Sequence, residues 1–294
     1  MVMNPGGRGS KRGGPRSVAD WSADDYRRIT VRRATPVVGA YVDGVDLADL
    51  DDETHAEINR ALNQHCVLFF RNQELSVDDH IAFGRRFGEL DVHPAAANAT
   101  GREEILVIAA DENSDRANGE AWHSDVSCQT EPPAQSILYM HHVPPAGGDT
   151  LFANMYAAYE ALSDRMKAYL DGLTAVHDGE HVYRGLYSGV ADRPEYPRSK
   201  HPIVRTHPES GRRCLFVNRS FTTHINGVPR DESDAVLGYL FDHIEHPNFQ
   251  VRFTWQEKSL AMWDNRSAQH RAIWDYWPER RYGHRVTVKG DRPF

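Results

Sequence analysis

Cysteine is scarce in this sequence of 294 residues, which contains only Cys66, Cys128 and Cys214. Their wide separation argues against a disulfide framework or a structural zinc site and predicts reduced thiols in a cytosolic protein. Long apolar runs are also lacking: no stretch of about 18 apolar residues occurs, and no signal peptide is visible. These absences argue against a membrane protein and against a secreted, disulfide-stabilised one.

Positive charge is in short supply as well. The formal net charge is −8 at pH 7, which argues against binding of nucleic acid or of an acidic membrane surface by the whole chain. Residues 1–20 differ, because they are basic and rich in glycine with little to pack, and they predict a disordered tail. Hydrophobic residues make up 40% of the chain, so residues 21–294 are interpreted as a single domain with a substantial core.

The most informative motif that is present is a His-x-Asp pair, His123 and Asp125, followed by a distant His270. On an extended segment, side chains two residues apart project to the same face, so His123 and Asp125 can converge on one ion. His270 follows 270 − 123 = 147 residues later and can come from a neighbouring strand. Two histidines and one carboxylate occupy one face of an octahedral Fe(II) and leave the other face open, which predicts a catalytic iron site.

Two other His-x-Glu pairs occur, His55 with Glu57 and His243 with Glu245. Each lies in a stretch whose apolar residues follow helical periodicity. In a helix, side chains two residues apart point roughly 200° away from each other and cannot chelate one ion. We therefore interpret both pairs as solvated positions on helices.

An arginine that follows the distal histidine is a candidate anion ligand. Arg281 lies eleven residues after His270 (281 − 270 = 11), within reach of the next strand, and its planar fork suits a carboxylate. The ordinary role of such an arginine is a solvated surface charge. Period-two alternation argues against that role, since it places Arg281, Gly283 and Arg285 on one face of a strand.

The chain resembles the taurine/alpha-ketoglutarate-dependent dioxygenase family over most of its length. The motifs that carry the resemblance are VLFFR at 67–71, FGRRFGEL at 83–90, Trp122 to Asp125, GGDTL at 147–151, WDNR at 263–266, QHR at 269–271 and RYGHR at 281–285. The resemblance implies an enzyme that uses Fe(II), 2-oxoglutarate and O2 and releases succinate and CO2. It implies His123, Asp125 and His270 as metal ligands, and Thr150 with Arg281 as the groups that bind the distal carboxylate of 2-oxoglutarate.

The expected fold is mainly β with flanking helices. Strand-like segments spread through the chain, with helical stretches inserted at about 51–64 and 231–245, and Ser76 with Asp79 forms a capping box for another helix. This arrangement suits a double-sheet jelly roll whose open mouth holds the metal. The resemblance implies the same fold, a distorted double-stranded β-helix.

The primary substrate is expected to be a small organic anion. By resemblance, His93 and Arg285 match the positions at which taurine-oxidising relatives contact the sulfonate. In some relatives the arginine assists 2-oxoglutarate instead, and an ordinary ion pair with an acidic neighbour is a further alternative for Arg285. Those relatives also carry Tyr and Asn where this chain has Ala96 and Gly119, so taurine itself is not expected and the pocket should be roomier.

Tyr183 and Tyr187 lie in a predicted loop that could close over a larger anion, although ordinary surface positions are the alternative for both. Sulfonates, sulfate esters, phenoxy acids and biosynthetic intermediates all stay open as substrates, and so does a homo-oligomeric state. A non-catalytic, cupin-like metal-binding or sensor protein is the competing class of function. Thr150 and Arg281 favour the enzyme, because a metal sensor has no need for two groups that hold a dicarboxylate.

Overall fold

The computed structural model describes residues 26–93, 101–116, 118–184 and 195–294. The predicted tail at residues 1–20 lies outside these ranges. Within them the fold is mainly β with flanking helices, as the sequence predicted. The strands are β1 (Thr30–Arg33), β2 (Ala40–Asp43), β3 (Val67–Phe70), β4 (Leu106–Ala110), β5 (Gln135–His142), β6 (Thr150–Asn154), β7 (Thr174–Asp178), β8 (Arg198–Pro202), β9 (Val204–Thr206), β10 (Arg213–Leu215), β11 (Thr222–Ile225), β12 (Gln250–Phe253), β13 (Ser259–Asp264), β14 (Ala268–Ala272) and β15 (Arg281–Thr287).

Several of the helices begin at a residue whose side chain caps them. Asp51 and Ser163 each accept a hydrogen bond from the backbone three residues on, and Ser76 with Asp79 forms the predicted capping box. None of the described helices is both long and apolar enough to cross a bilayer. The helices are α1 (Asp52–His65), α2 (Val77–Arg85), α3 (Met155–Glu160), α4 (Asp164–Leu170), α5 (Glu180–Tyr183) and α6 (Arg230–Ile244), with a short 3₁₀ helix at Pro247–Phe249.

One large sheet organises the molecule. Its seven strands run in the order β1-β2-β3-β13-β5-β15-β4, and every neighbouring pair is antiparallel except β2 with β3. Both faces of its central strands are covered, so these strands are apolar at successive positions. In β3, for example, Val67 and Phe69 belong to one buried cluster, whereas Leu68 and Phe70 belong to the other.

A smaller sheet, β12-β6-β14, covers one face of the large sheet. Aromatic rings fill the space between them: Phe69 of β3 stacks on Phe253 of β12 with 4.1 Å between ring centroids. Phe152 of β6 lies 5.7 Å from Phe69 and 5.5 Å from Trp263 of β13. Two facing sheets of this kind form the jelly roll that the sequence predicted, and the candidate site lies between them, where β14 faces β15.

Candidate active site

His123 and His270 are held side by side by the backbone. Each donates its N–H to the carbonyl oxygen of the other, at 3.1 Å for His123 and 2.9 Å for His270, in an isolated antiparallel bridge. The sequence predicted that His123 and Asp125 lie on one extended segment. In the structure this segment is not a regular strand. The chain enters a turn at Asp125, and this turn, rather than strand alternation alone, brings the carboxylate beside the imidazole.

The predicted metal-binding side chains converge. One ligand atom from each of His123, Asp125 and His270 lies within 4.8 Å of the other two, and His123 Nε2 lies 3.7 Å from Asp125 Oδ1. His123 Nδ1 bonds the carbonyl oxygen of Ala121 at 2.8 Å, which turns Nε2 toward the carboxylate. Two imidazoles and one carboxylate on one side of a cavity fit an ion such as Fe(II) that keeps open positions.

Burial and local charge set the protonation of these ligands. Burial, with a further contribution from His123, holds the pKa of His270 well below its usual range, so the ring is neutral as a metal ligand must be. Burial alone would raise the pKa of Asp125, but Arg285 and both histidines hold it well below its usual range. The carboxylate is therefore ionised. Arg285 Nη1 donates to Asp125 Oδ1 at 2.7 Å.

Arg281 and Thr150 lie together at another part of the cavity wall. Arg281 is buried, and its Nε donates to the carbonyl oxygen of Gly148 at 3.2 Å. Trp255 joins the pair, because its Nε1 donates to Thr150 Oγ1 at 2.9 Å and its ring lies 5.5 Å from Arg281 Cζ. Gly148 has φ +70°, and a Cβ there would lie 3.2 Å from Arg281 Cδ. This close approach explains the second glycine of the GGDTL motif.

A cavity of about 460 Å³ lies beside these groups. The three candidate metal ligands, Thr150, Arg281 and Arg285 line one part of it. The rest of the wall includes apolar side chains, namely Leu106, Ile108, Leu138, Val182 and Phe221. The cavity therefore places the candidate metal ligands, two buried arginines and an apolar surface around one space.

The remaining predicted residues are placed as follows. His93 lines the cavity, and burial lowers its pKa to about 3, which leaves its ring neutral. Tyr183 also lines the cavity. It is buried at the end of the short helix α5, so the prediction of a loop is wrong for this residue, and so is the alternative of an ordinary surface position. Tyr187 and Ala96 lie outside the described residues. Gly119 lines the cavity, where its φ is +84° and a Cβ would lie 3.0 Å from His123 Cε1.

The sequence did not single out two residues that contact the metal-binding segment. Ser136 Oγ donates to Asp125 Oδ2 at 2.7 Å, and Asn265 Oδ1 accepts from Asp125 N at 3.2 Å. Asn265 belongs to the WDNR motif, so the resemblance marked its position without giving it a role. Ser136 had no such signal, because a serine in a buried strand is ordinary.

Comparisons with known proteins match most of this chain to one family of dioxygenases. The model of the family described as taurine catabolism dioxygenase TauD, TfdA family matches residues 30–287. An alpha-ketoglutarate-dependent sulfonate dioxygenase of Saccharomyces cerevisiae is 31% identical over 93% of this chain and 70% of its own length. An alpha-ketoglutarate-dependent sulfate ester dioxygenase of Pseudomonas putida is 35% identical over 87% of this chain and 88% of its own. The crystal structure of a taurine dioxygenase from Burkholderia xenovorans superimposes with a TM-score of 0.80 at 38% identity, over 91% of each chain.

Proposed function

Because the chain belongs to the taurine catabolism dioxygenase TauD, TfdA family, we propose that it oxidises a C–H bond of a small organic anion with Fe(II), O2 and 2-oxoglutarate. Succinate and CO2 are the products from the cosubstrate. The observation that carries the proposal is the shared cavity, in which a three-donor metal set lies with two buried arginines. A metal-binding protein without catalysis would need the three donors but not the arginines.

The three donors would bind the metal together, and neighbouring groups orient two of them. His123 Nε2, a nitrogen of His270 and one oxygen of Asp125 would hold the metal, and when bound the Fe(II) supplies the redox chemistry that activates oxygen. The orientation of His123 is fixed by the carbonyl of Ala121, and the hydrogen bond between Ser136 and Asp125 Oδ2 orients the carboxylate. Ligands whose orientation is fixed would keep the metal at one position relative to the substrate. This matters because small displacements in an active site lower the reaction rate.

Arg281 and Thr150 bind the distal carboxylate of 2-oxoglutarate in this proposal. Arg281 uses Nε on the protein carbonyl of Gly148, so its two terminal nitrogens stay available to a carboxylate in the planar, paired geometry that arginine offers. Burial lowers the pKa of Arg281, but an arginine stays charged in proteins. The Thr150 hydroxyl accepts from Trp255 and can donate its own proton to the same ligand.

Arg285 and His93 bind the anionic group of the primary substrate in this proposal. Arg285 donates from Nη1 to Asp125, and its buried Nε has no hydrogen-bond acceptor within the described part of the chain. The neutral ring of His93 adds a donor without adding charge. The anion would thus lie beside the metal ligands, and the rest of the substrate would extend along the apolar wall formed by Leu106, Ile108, Leu138, Val182 and Phe221.

The shape of the cavity favours an anion with an apolar body over taurine. Its volume of about 460 Å³ is within the range of pockets that hold drug-sized ligands. Gly119 contributes no side chain to the wall. An alkyl or aryl sulfonate or sulfate ester would combine the anion with apolar surface, and the named substrates of the yeast and Pseudomonas relatives belong to these two chemical classes.

Two measurements test the proposal. Anaerobic addition of Fe(II) and 2-oxoglutarate should produce a visible charge-transfer band, because 2-oxoglutarate would bind directly to the iron held by the protein. Succinate release should then be screened with sulfonates, sulfate esters and phenoxy acids that carry alkyl or aryl groups of increasing size, with taurine as the small reference. The absence of a band, together with no succinate from any anion, would refute the enzyme assignment. Release with taurine alone would refute the proposed apolar substrate.

A further inference from the structure

The residue that follows the metal-binding carboxylate has an unusual backbone conformation. Val126 has φ +45°, a region that β-branched residues rarely adopt because the branched side chain meets the backbone. Such a conformation costs on the order of 1–3 kcal/mol and persists only where its surroundings determine it. Something next to Asp125 must therefore hold this turn in place.

Asn265 supplies much of that support. Its Oδ1 accepts from Asp125 N at 3.2 Å and from Trp263 Nε1 at 3.0 Å, and its backbone carbonyl accepts from Ser124 Oγ at 2.8 Å. Its Nδ2 donates to Ser136 Oγ at 2.9 Å. All four partners are buried, so these hydrogen bonds are made without competition from solvent.

Ser136 completes a chain of hydrogen bonds with one direction. A serine hydroxyl has a single proton, and because Ser136 accepts from Asn265 Nδ2 it gives that proton to Asp125 Oδ2, at 2.7 Å. Each carboxylate oxygen thus accepts one hydrogen bond, Oδ2 from Ser136 and Oδ1 from Arg285 Nη1 at 2.7 Å, and the pair fixes the plane of the carboxylate. Oδ1 is the oxygen that lies 3.7 Å from His123 Nε2, on the side where a shared ion would bind.

We propose that Ser136 and Asn265 are positioning residues that select Asp125 Oδ1 as the metal-binding oxygen and hold the strained turn behind it. The inference rests on the proposed function only in taking His123, Asp125 and His270 as metal ligands. Neither residue is among those that line the cavity. Both act through the orientation of one carboxylate.

The test uses Co²⁺ as the probe on the full chain without oxygen. Ser136→Ala should weaken Co²⁺ binding roughly 10- to 100-fold, the usual cost of losing a hydrogen bond to a metal ligand. It should also change the visible Co²⁺ absorption bands, because a carboxylate free to rotate offers both oxygens. Asn265→Asp keeps the acceptor for Asp125 N and Trp263 but removes the donor to Ser136, so it should weaken Co²⁺ binding in the same direction.

Ser259→Ala is the matched control. Ser259 is a buried serine of β13 in the same sheet, and its hydroxyl bonds Arg71 rather than a metal ligand. We expect the control to leave Co²⁺ affinity and spectrum unchanged, even where thermal unfolding shows that it costs as much stability as Ser136→Ala.

Three results would overturn the inference. One is a Ser136→Ala protein with the Co²⁺ affinity and spectrum of the unaltered chain, and another is an equal loss of affinity in Ser259→Ala. The third is an unaltered chain that binds no Co²⁺, which would also remove the proposed function. By contrast, Co²⁺ binding by a chain that releases no succinate would count against the proposed function alone, since the affinity comparison does not depend on turnover.

Discussion

The first and fifth residues of β15, Arg281 and Arg285, carry the same side chain on the same face in different electrostatic surroundings. Arg281 donates to a neutral carbonyl, that of Gly148, and within the described ranges it forms no ion pair. Arg285 forms an ion pair with Asp125, in which both side chains are less than 10% exposed. Four residues of strand separate them, about 13 Å at 3.3 Å per residue.

This difference separates two kinds of anion binding. The charge of Arg281 is buried and not compensated by a direct ion pair, so a carboxylate ligand that reaches it gains a strong, geometrically defined interaction. The charge of Arg285 is shared with Asp125, a proposed metal ligand. Changes at Arg285 should therefore reach the metal as well as the substrate, whereas changes at Arg281 should be confined to the cosubstrate.

Replacing Asp125 with Asn should have the largest effect, because it removes the ion pair of Arg285 and a metal ligand together. The amide keeps the size of the carboxylate and its oxygen can still accept from Arg285, so the fold should survive, although the buried charge of Arg285 without its partner should lower the free energy of unfolding. We expect metal binding to fall below detection and succinate release with it, measured by metal content after gel filtration and by product analysis. Turnover at the rate of the unaltered chain would show that the metal is held elsewhere.

Replacing Arg285 with Ala should remove the same ion pair from the arginine side. In the presence of a chelator, Asp125 is left buried without its partner, and we expect the free energy of unfolding to fall by about 3–5 kcal/mol, measured by chemical denaturation. A saturating divalent metal should recover part of this loss, because the ion replaces the missing positive charge beside Asp125.

The same variant separates the substrate from the cosubstrate. Oxidation of an anionic substrate should be lost at saturating metal, while slow conversion of 2-oxoglutarate to succinate without substrate continues, and a neutral analogue should suffer less. A weaker binding of 2-oxoglutarate, with the preference for anions intact, would instead assign both arginines to the cosubstrate.

Replacing Arg281 with Lys should affect only the binding of 2-oxoglutarate. Lysine keeps the charge but loses the paired donors, and one lost hydrogen bond to a charged group is worth about 1.5–3 kcal/mol. We expect the apparent 2-oxoglutarate requirement to rise roughly 10- to 100-fold, with little change for the primary substrate, in steady-state assays that vary each in turn. Equal changes for both substrates would indicate a structural role for Arg281.

The sequence predicts the regular parts of this fold well because their signals are local. The capping box at Ser76 and the apolar periodicity of α1 and α6 depend on neighbouring residues. That periodicity placed His55, Glu57 and His243 in helices correctly, but Glu57 is buried instead of solvated and Glu245 lies just beyond α6. Strand β6 was not predicted, and β14 was expected only as a strand that could carry His270, without bounds. Each is short and carries polar residues, such as Thr150 and His270, whose side chains face the cavity, so the alternation typical of a strand is interrupted where the site is built.

The candidate site shows the same division. His123, Asp125 and His270 could be selected from spacing, and Arg281 with Arg285 from alternation, since each pattern is contained in a short stretch of sequence. The turn at Val126 could not, because valine disfavours the conformation that it adopts there. Its support comes from Asn265 and Ser136, which lie on other segments of the chain and become neighbours of Asp125 only after folding.

Thr150→Val should have the smallest effect and therefore gives the finest test of the Arg281 end. The loss of one neutral hydrogen bond is worth on the order of 1 kcal/mol, so the apparent 2-oxoglutarate requirement should rise about fivefold, measured beside Arg281→Lys. The hydroxyl also accepts from Trp255 Nε1 at 2.9 Å, and Trp255 lies beside Arg281, so part of the effect could come through the indole. Trp255→Phe removes that donor while keeping an aromatic ring. If Thr150 acts on the ligand directly, Trp255→Phe should leave the 2-oxoglutarate requirement close to that of the unaltered chain; an equal rise in both variants would mean that Thr150 orients Trp255 and Arg281 instead of binding the carboxylate.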